Sequence, residues 1–574
     1  MQKGSDKKGV IQLAEILHRQ GVKYVVFSPG SRNAPLMITF DNDERFTCFV
    51  IPDERSAAFY GLGLAEQSKT PVAIMCTSGS ALLNYYPAIS EAFYRNIPLV
   101  IVSADRPKEW IDQGDGQTIR QENVFSNHIC GYAELLEHPK DSQEIQQNER
   151  AIMNLMTQAK QANGGPVHIN FPFEEPLYNQ VEITQSELQT QVDTRDVKQF
   201  TKEELAELKA IWGNASKKLI LCGQMPKNDR LNEQLKRLAA EDKSVAIVVE
   251  NTSNLQDRNF IHCIDRTIES FLEDNPELYR PDLLITIGGA VISKKVKSYF
   301  RKYKPIHNWK VGEAFLEMDT YRSLTKSLPV SGNYFFDCVL DQFEGNQSRF
   351  GEQWKQLDYL VREKHDNFLM QAPYSDLSVY NLLLDSVPDF SNLHISNSST
   401  IRYTQLFDSV STISYFCNRG TSGIDGSVST AIGNALASSA KLNILITGDM
   451  SFFYDSNALW NLHLPTNVRI FLINNSGGGI FDIIPGPKDT LQLDAYFVMN
   501  HHFSAEHLCK TFDVNYFKAS SLDEIDTQLD VFLEVAENER PGVMEIFTPR
   551  ETNAQVLAKY FEAIKVKEAP VLTL

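Results

Sequence analysis

The sequence predicts an α/β protein of three domains, each a mostly parallel sheet covered by helices. Three observations predict it. Short β-rich runs alternate with amphipathic helical stretches along most of the chain, the pattern of strands joined by helical crossovers. The alternation falls into three blocks, set apart by a polar, Gln-rich stretch at about 180–200 and by a connecting helix over 352–369. A chain of 574 residues also exceeds what one hydrophobic core serves. The domains are drawn at 1–185, 195–350 and 370–574.

In the first block a helix over VIQLAEILHRQ leads into strands KYVVF and TCFVI. Helix RSAAFYGLGLAEQ, strand PVAIMC, one helix over SALLNYYPAISEAF and strand PLVIVSA follow, and GGPVHINFPFEEPL closes the block. The second block has strand KLILCG, helix LNEQLKRLAAE, strand SVAIVVE, then DLLITIGGA and the basic helix ISKKVKSYFRKY. Its glycines form no GxGxxG after a strand, so a dinucleotide fingerprint is absent. The third block holds NLHISNS, a helix over STIRYTQLFDS, TISYFCNRG, helix SVSTAIGNALAS, and strands NILITGD, VRIFLINN and VMEIF. The first and third blocks are candidates for distant copies of one architecture, which periodicity alone does not prove.

Hydrophobic residues make up 42% and charged residues 22%, as in globular proteins. A net charge of -18 argues against a general role on nucleic acid or anionic membranes, but leaves anionic substrates open where arginines cluster locally. No apolar run approaches the roughly 20 residues of a membrane span, and MQKGSDKKGV lacks a signal-peptide core. The eight cysteines are scattered with no CxxC pair and read as buried thiols of a cytoplasmic protein.

The sharpest chemical signal is Gly448-Asp449-Met450-Ser451 after strand NILIT, with Asn474-Asn475-Ser476-Gly477-Gly478 after VRIFLI. Both lie where parallel strands finish, the edge at which α/β sheets take ligands. A carboxylate and an amide oxygen are hard ligands suited to Mg²⁺, and glycines let backbone approach a diphosphate. Taken singly each segment is an ordinary turn; the pair at this separation is the signal.

GDMS…NNSGG resembles the diphosphate- and metal-binding motif of thiamine-diphosphate enzymes of the pyruvate oxidase and decarboxylase superfamily. The resemblance implies that architecture, with Mg²⁺ (or Mn²⁺) held by Asp449, Asn475 and the Gly477 carbonyl, and with Gly448, Met450 and Ser451 beside the cofactor. It also implies a catalytic glutamate in the first domain, which Glu54 in Pro52-Asp53-Glu54-Arg55 supplies. Such a carboxyl must carry a proton to the cofactor's pyrimidine nitrogen and works best where burial raises its pKa. A helix N-terminus would pull that pKa the other way, and sequence leaves the balance open.

Three further strings narrow the family: Ser28-Pro29-Gly30-Ser31-Arg32-Asn33-Ala34-Pro35-Leu36, Ser103-Ala104-Asp105-Arg106-Pro107, and Asn418-Arg419-Gly420-Thr421-Ser422-Gly423-Ile424-Asp425-Gly426. Together they resemble the 2-succinyl-5-enolpyruvyl-6-hydroxy-3-cyclohexene-1-carboxylate synthases of menaquinone biosynthesis, from about residue 10 to about residue 550. The resemblance implies decarboxylation of 2-oxoglutarate and addition of the succinyl unit to isochorismate. Both are dicarboxylates, which planar guanidinium forks bind through paired hydrogen bonds. It assigns Ser31, Arg32, Arg106 and Gln117 to isochorismate, and Ser398 and Arg402 to the distal succinyl carboxylate. Ser398 and Arg402, four apart on the expected helix, would share a face. Arg419 falls between the two subsites; Ile424 props the cofactor, and Ile480 and Phe481 pack on it. Lys294 and Lys295 stand where the family reads Lys-Arg, and whether Lys295 replaces the usual Arg stays open. Gly116 stands where the family has Asn. His501 and His502 read as surface or packing residues.

The resemblance further implies a homodimer or homotetramer with sites between subunits. Acetolactate synthase is the nearest alternative activity, and a non-catalytic relative acting as a binding subunit is the alternative of another class.

Overall fold

The structure is a computed structural model that describes residues 3–183, 198–271, 275–484, 486–535 and 540–566. The polar stretch at about 180–200 lies largely outside them.

Three parallel sheets carry the fold. In the first, the strands lie side by side as Thr47–Val50, Tyr24–Phe27, Val72–Cys76, Leu99–Asp105, Val167–Pro172 and Gly131–Glu134. In the third, they lie as Ser414–Phe416, Asn392–Ile395, Asn443–Gly448, Val468–Asn474, Gly542–Phe547 and Asn515–Ala519. Both orders read second, first, third, fourth, sixth, fifth along the chain, so the first and third blocks share one topology. The middle sheet has five strands, Val245–Val249, Lys218–Cys222, Leu283–Ile287, His307–Val311 and Lys326–Leu328. Every pairing within these three sheets is parallel.

Central strands such as LVIVSAD and VRIFLIN are buried at every position, as a sheet covered on both faces requires. One apolar core joins the first sheet to the third across helices Glu54–Ser68 and Ser427–Ala437. The two helices approach closely because glycines face each other's backbone. A Cβ on Gly63 would lie 2.1 Å from the Thr430 carbonyl oxygen, and one on Gly433 would lie 2.2 Å from that of Tyr60. A second core joins the middle sheet to the third around Trp354 and Tyr560.

The structure departs from two expected elements. The helix expected over 80–93 is two, Ser80–Asn84 and Tyr86–Arg95, with Pro87 in the first turn of the second. The helix expected over 399–409 stops at Thr404.

Candidate active site

Glu54 follows strand Thr47–Val50 and opens helix Glu54–Ser68, whose N-terminus Asp53 caps by accepting from Ser56 N at 2.9 Å. Burial pushes its carboxyl above the ordinary glutamate value, its own amide pulls it down, and the neighbouring charge of Asp53 raises it again. The balance that sequence left open therefore falls on the burial side. Its charge reaches the buried Cys76 thiol and Tyr85 hydroxyl, and Tyr85 Oη lies 3.0 Å from Ser28 Oγ.

Asp449 and Asn475 end adjacent strands of the third sheet, where Gly448 pairs with Ile473. Asp449 Oδ2 accepts from Gly477 N at 2.8 Å and Oδ1 from Met450 N at 2.6 Å. Asn475 is buried, and its Nδ2 donates to Asp376 Oδ2 at 3.1 Å while its Oδ1, equally buried, has no partner. An orphaned amide oxygen beside a carboxylate is what a hard divalent cation would satisfy, so the residues present fit such an ion. Two glycines make room. Gly477 has φ +144 and a Cβ there would lie 2.6 Å from Val498 O; one on Gly479 would lie 3.0 Å from Asn475 Nδ2. Ser451 Oγ donates to the Ile424 carbonyl at 2.7 Å, tying the DMS turn to the SGIDG loop. Ile424 is half-buried and outside the apolar clusters, Ile480 is buried, and Phe481 packs against Phe497 with centroids 5.7 Å apart.

On the first domain, Arg32 is buried and donates to Phe173 O at 2.9 Å and Glu175 Oε1 at 3.3 Å. Arg106 donates to Gly116 O at 3.4 Å. Their guanidinium carbons stand 5.7 and 5.8 Å from the Trp110 ring, so one indole serves both cations. The Nε of each is buried without a partner. Ser31 and Gln117 are exposed nearby in sequence, Gln117 at φ +56 with its carbonyl accepting from Ser78 Oγ.

On the third domain, Arg402 is half-buried with no hydrogen bond or ion pair among the described residues; burial lowers its pKa, the charge of Asp265 opposes that, and the charge of Arg419 adds to the lowering. Arg419 donates to Asn397 Oδ1 at 2.7 Å, and its Nε is buried without a partner. Ser398 does not share a helical face with Arg402. It is the residue before the helix, at φ +71, where an L side chain is strained.

The helix Lys294–Lys302 carries the two lysines assigned to substrate by resemblance. Lys295 is held by Glu269 and Phe561: its Nζ is 2.5 Å from Glu269 Oε2 and 3.6 Å from the centre of the Phe561 ring. Lys294 is exposed. Lys297, three residues on from Lys294, is half-buried; burial lowers its pKa, the charge of Glu250 opposes that and Arg419 adds to it, and it has no ion pair among the described residues. A cavity of ≈ 880 Å³ opens where the three domains meet, lined by Arg95, Gly288, Gly312 and Arg419 among others; of the predicted residues only Arg419 reaches it.

Residues 7–124 match the family described as the thiamine pyrophosphate enzyme N-terminal TPP binding domain. A 2-succinyl-5-enolpyruvyl-6-hydroxy-3-cyclohexene-1-carboxylate synthase from Flavobacterium johnsoniae is 43% identical over 96% of this chain and 98% of its own. Proteins of the same name from Christiangramia forsetii and Porphyromonas gingivalis are 44% and 36% identical, over 95% and 99% of this chain and 96% and 99% of theirs. The chain belongs to this synthase family.

Within this member of the synthase family, sequence reasoning missed four residues around the site. Trp110 carried no motif, and Asp376 lies about a hundred positions from the amide it holds. Lys297 was hidden by the Lys294-Lys295 pair. His501, read as surface or packing, does stack on Phe503 at 5.0 Å, but it is buried with Nε2 3.3 Å from Asp449 Oδ2, without hydrogen-bond alignment.

Proposed function

We propose that this synthase decarboxylates 2-oxoglutarate and adds the succinyl unit to isochorismate in menaquinone biosynthesis, with thiamine diphosphate and Mg²⁺ (or Mn²⁺). The observation that supports the substrate assignment is a set of half-buried or buried arginines without carboxylate saturation. Arg32, Arg106 and Arg419 each keep a buried Nε unpaired, and Arg402 has no hydrogen bond or ion pair among the described residues, with only the longer-range charge of Asp265 to oppose it. In a chain of net charge -18, such cations fit two dicarboxylates handled in turn.

Thiamine diphosphate, when bound, supplies the nucleophilic carbon and electron sink that decarboxylation of a 2-oxo acid needs. Asp449, Asn475 and the Gly477 carbonyl would hold the cation that carries its diphosphate. Glu54 keeps a proton on its carboxyl more readily than an exposed glutamate, and would offer it to the cofactor's pyrimidine nitrogen when the cofactor is bound. Ile424, Ile480 and Phe481 give an apolar wall that excludes water from the reacting centre. Arg402 and Ser398 take the distal carboxylate of 2-oxoglutarate; Arg32, Arg106, Ser31 and Gln117 orient isochorismate, and Arg419 stands between. The domains at 1–185, 195–350 and 370–574 work as a homodimer or homotetramer in the cytoplasm.

The deciding experiment is CO₂ release from 2-oxoglutarate by protein loaded with thiamine diphosphate and Mg²⁺, with and without isochorismate, and with pyruvate as control. Isochorismate-dependent turnover of 2-oxoglutarate alone is expected. Preference for pyruvate would move the protein to acetolactate synthase-like chemistry.

A further inference from the structure

Asn475 can serve a cation only if its oxygen, and not its NH₂, faces the site, and an amide side chain presents either end equally well. The structure contains a chain of donors and acceptors that settles which end it is. The backbone N–H of Asp376 donates to Asn553 Oδ1 at 2.8 Å, which leaves the Asn553 NH₂ at the other end. That NH₂ donates to Thr548 Oγ1 at 3.2 Å. The Thr548 hydroxyl, accepting there, sends its own proton to Asp376 Oδ1 at 2.6 Å. The second carboxylate oxygen, Oδ2, then faces the Asn475 amide at 3.1 Å and accepts from Nδ2. All four side chains are buried, and Asn475 Oδ1 is left aimed away with no partner.

We propose that Asp376 is the positioning residue of the metal site: by accepting from Asn475 Nδ2 it fixes the amide so that Oδ1 faces the cation. It rests on the metal-site reading above. Asp376 itself touches neither cation nor substrate in this scheme; it acts through Asn475, as carboxylates behind metal ligands commonly do.

The proposal turns on hydrogen-bond direction, which an isosteric exchange can reverse. In Asp376→Asn the new amide oxygen still accepts from Thr548, so its NH₂ confronts Asn475. Asn475 must then turn its oxygen inward and its NH₂ toward the cation. In Thr548→Val the same buried cluster loses a hydroxyl, yet a carboxylate still faces Asn475.

The test is Mn²⁺ binding to the full chain, followed by electron paramagnetic resonance in saturating thiamine diphosphate, with circular dichroism melting of the metal-free proteins alongside. Asp376→Asn is expected to weaken Mn²⁺ binding about 10–100-fold, with Thr548→Val within about threefold of the parent. Equal losses in both variants, or wild-type binding in a folded Asp376→Asn, would overturn the proposal. If Asp376→Asn fails to fold, Asp376→Glu replaces it: the longer carboxylate keeps the acceptor but misplaces it, so Mn²⁺ binding must fall for the proposal to stand. Asn475→Ala separates the two readings. If it binds Mn²⁺ like the parent, the metal site itself is wrong; if it loses Mn²⁺ while Asp376→Asn does not, only the positioning role falls.

Discussion

At Glu54 two opposed effects meet on one carboxyl, and burial prevails over the helix N-terminus. A proton held there is what the proposed chemistry needs, so Glu54→Gln, which keeps shape and burial, is expected to lower kcat by about 100-fold or more. Steady-state turnover checks this, with thiamine diphosphate binding as the control for folding. The lysines of helix Lys294–Lys302 give a second residue-scale prediction. Lys295 is engaged by Glu269 and Phe561, whereas Lys297 is a half-buried cation without an ion pair among the described residues that feels the charges of Glu250 and Arg419. Lys297→Ala is expected to raise KM for at least one dicarboxylate about tenfold, the loss typical of one charge-assisted hydrogen bond. Lys295→Ala should leave both KM values within about twofold. The reverse order would restore Lys295 as the substrate cation. Sequence made Glu54, Asp449 and Asn475 legible because each sits in a short motif at the end of an apolar strand. It could not reach Trp110, Asp376 or Lys297, whose roles come from contacts between segments that no local pattern links.

Among the elements, the joint between helices Glu54–Ser68 and Ser427–Ala437 carries an ionisable group at an apolar contact. Asp455 is fully buried below the second helix, accepting from Ser429 N at 2.7 Å and Ser429 Oγ at 2.8 Å, with the charge of Arg55 within reach. Burial pushes its carboxyl up to about 7, and the two bonds from Ser429 only partly oppose that. The folded protein therefore binds this proton more tightly than the unfolded chain, whose aspartates titrate near about 3.9. The contribution to stability is complete below that lower value and is lost as pH rises through the folded value of about 7. Asp455→Asn removes the charge: its oxygen can accept from Ser429 N, and its NH₂ can donate to Ser429 Oγ with that bond reversed. Its thermal midpoint is expected to exceed the parent's by a few degrees at pH 8 and to match or fall below it at pH 5. Melting curves at the two pH values check this; a parallel offset at both would refute the titration account. Two of the strands that sequence failed to anticipate share a cause. Strands Gly131–Glu134 and Asn515–Ala519 lie at sheet edges, are only partly buried, and so lack the continuous apolar run that marked the central strands. The shared order of the first and third sheets was equally hidden, because each depends on those same edge strands.

For the whole molecule, the question is which two domains make one site. Within one chain, no hydrogen bond, ion pair or electrostatic contact joins Glu54 to Asp449, Asn475 or Gly477 among the described residues. Both edges are instead flanked by uncovered apolar side chains. Val50 and Tyr454 stand near Glu54, with Arg55 stacked 4.5 Å above the Tyr454 ring, and Tyr496 and Met499 lie beside the loop that holds Gly477 and Gly478. Such surface on a single chain is what a second copy would cover. If each site takes its Glu54 from one subunit and its Asp449 and Asn475 from the other, two different dead variants can complement. In a mixed Glu54→Gln and Asp449→Asn dimer, both defects fall in one site and the other is intact. Random reassembly of equal amounts should then restore about a quarter of the parent activity, since half the dimers are mixed and each keeps one of two sites. If both residues served the same chain's site, every site in every dimer would carry one defect. Activity would then stay at the level of the separate variants, and native mass spectrometry of the same mixtures, with one variant isotopically labelled, would confirm that mixed dimers had formed.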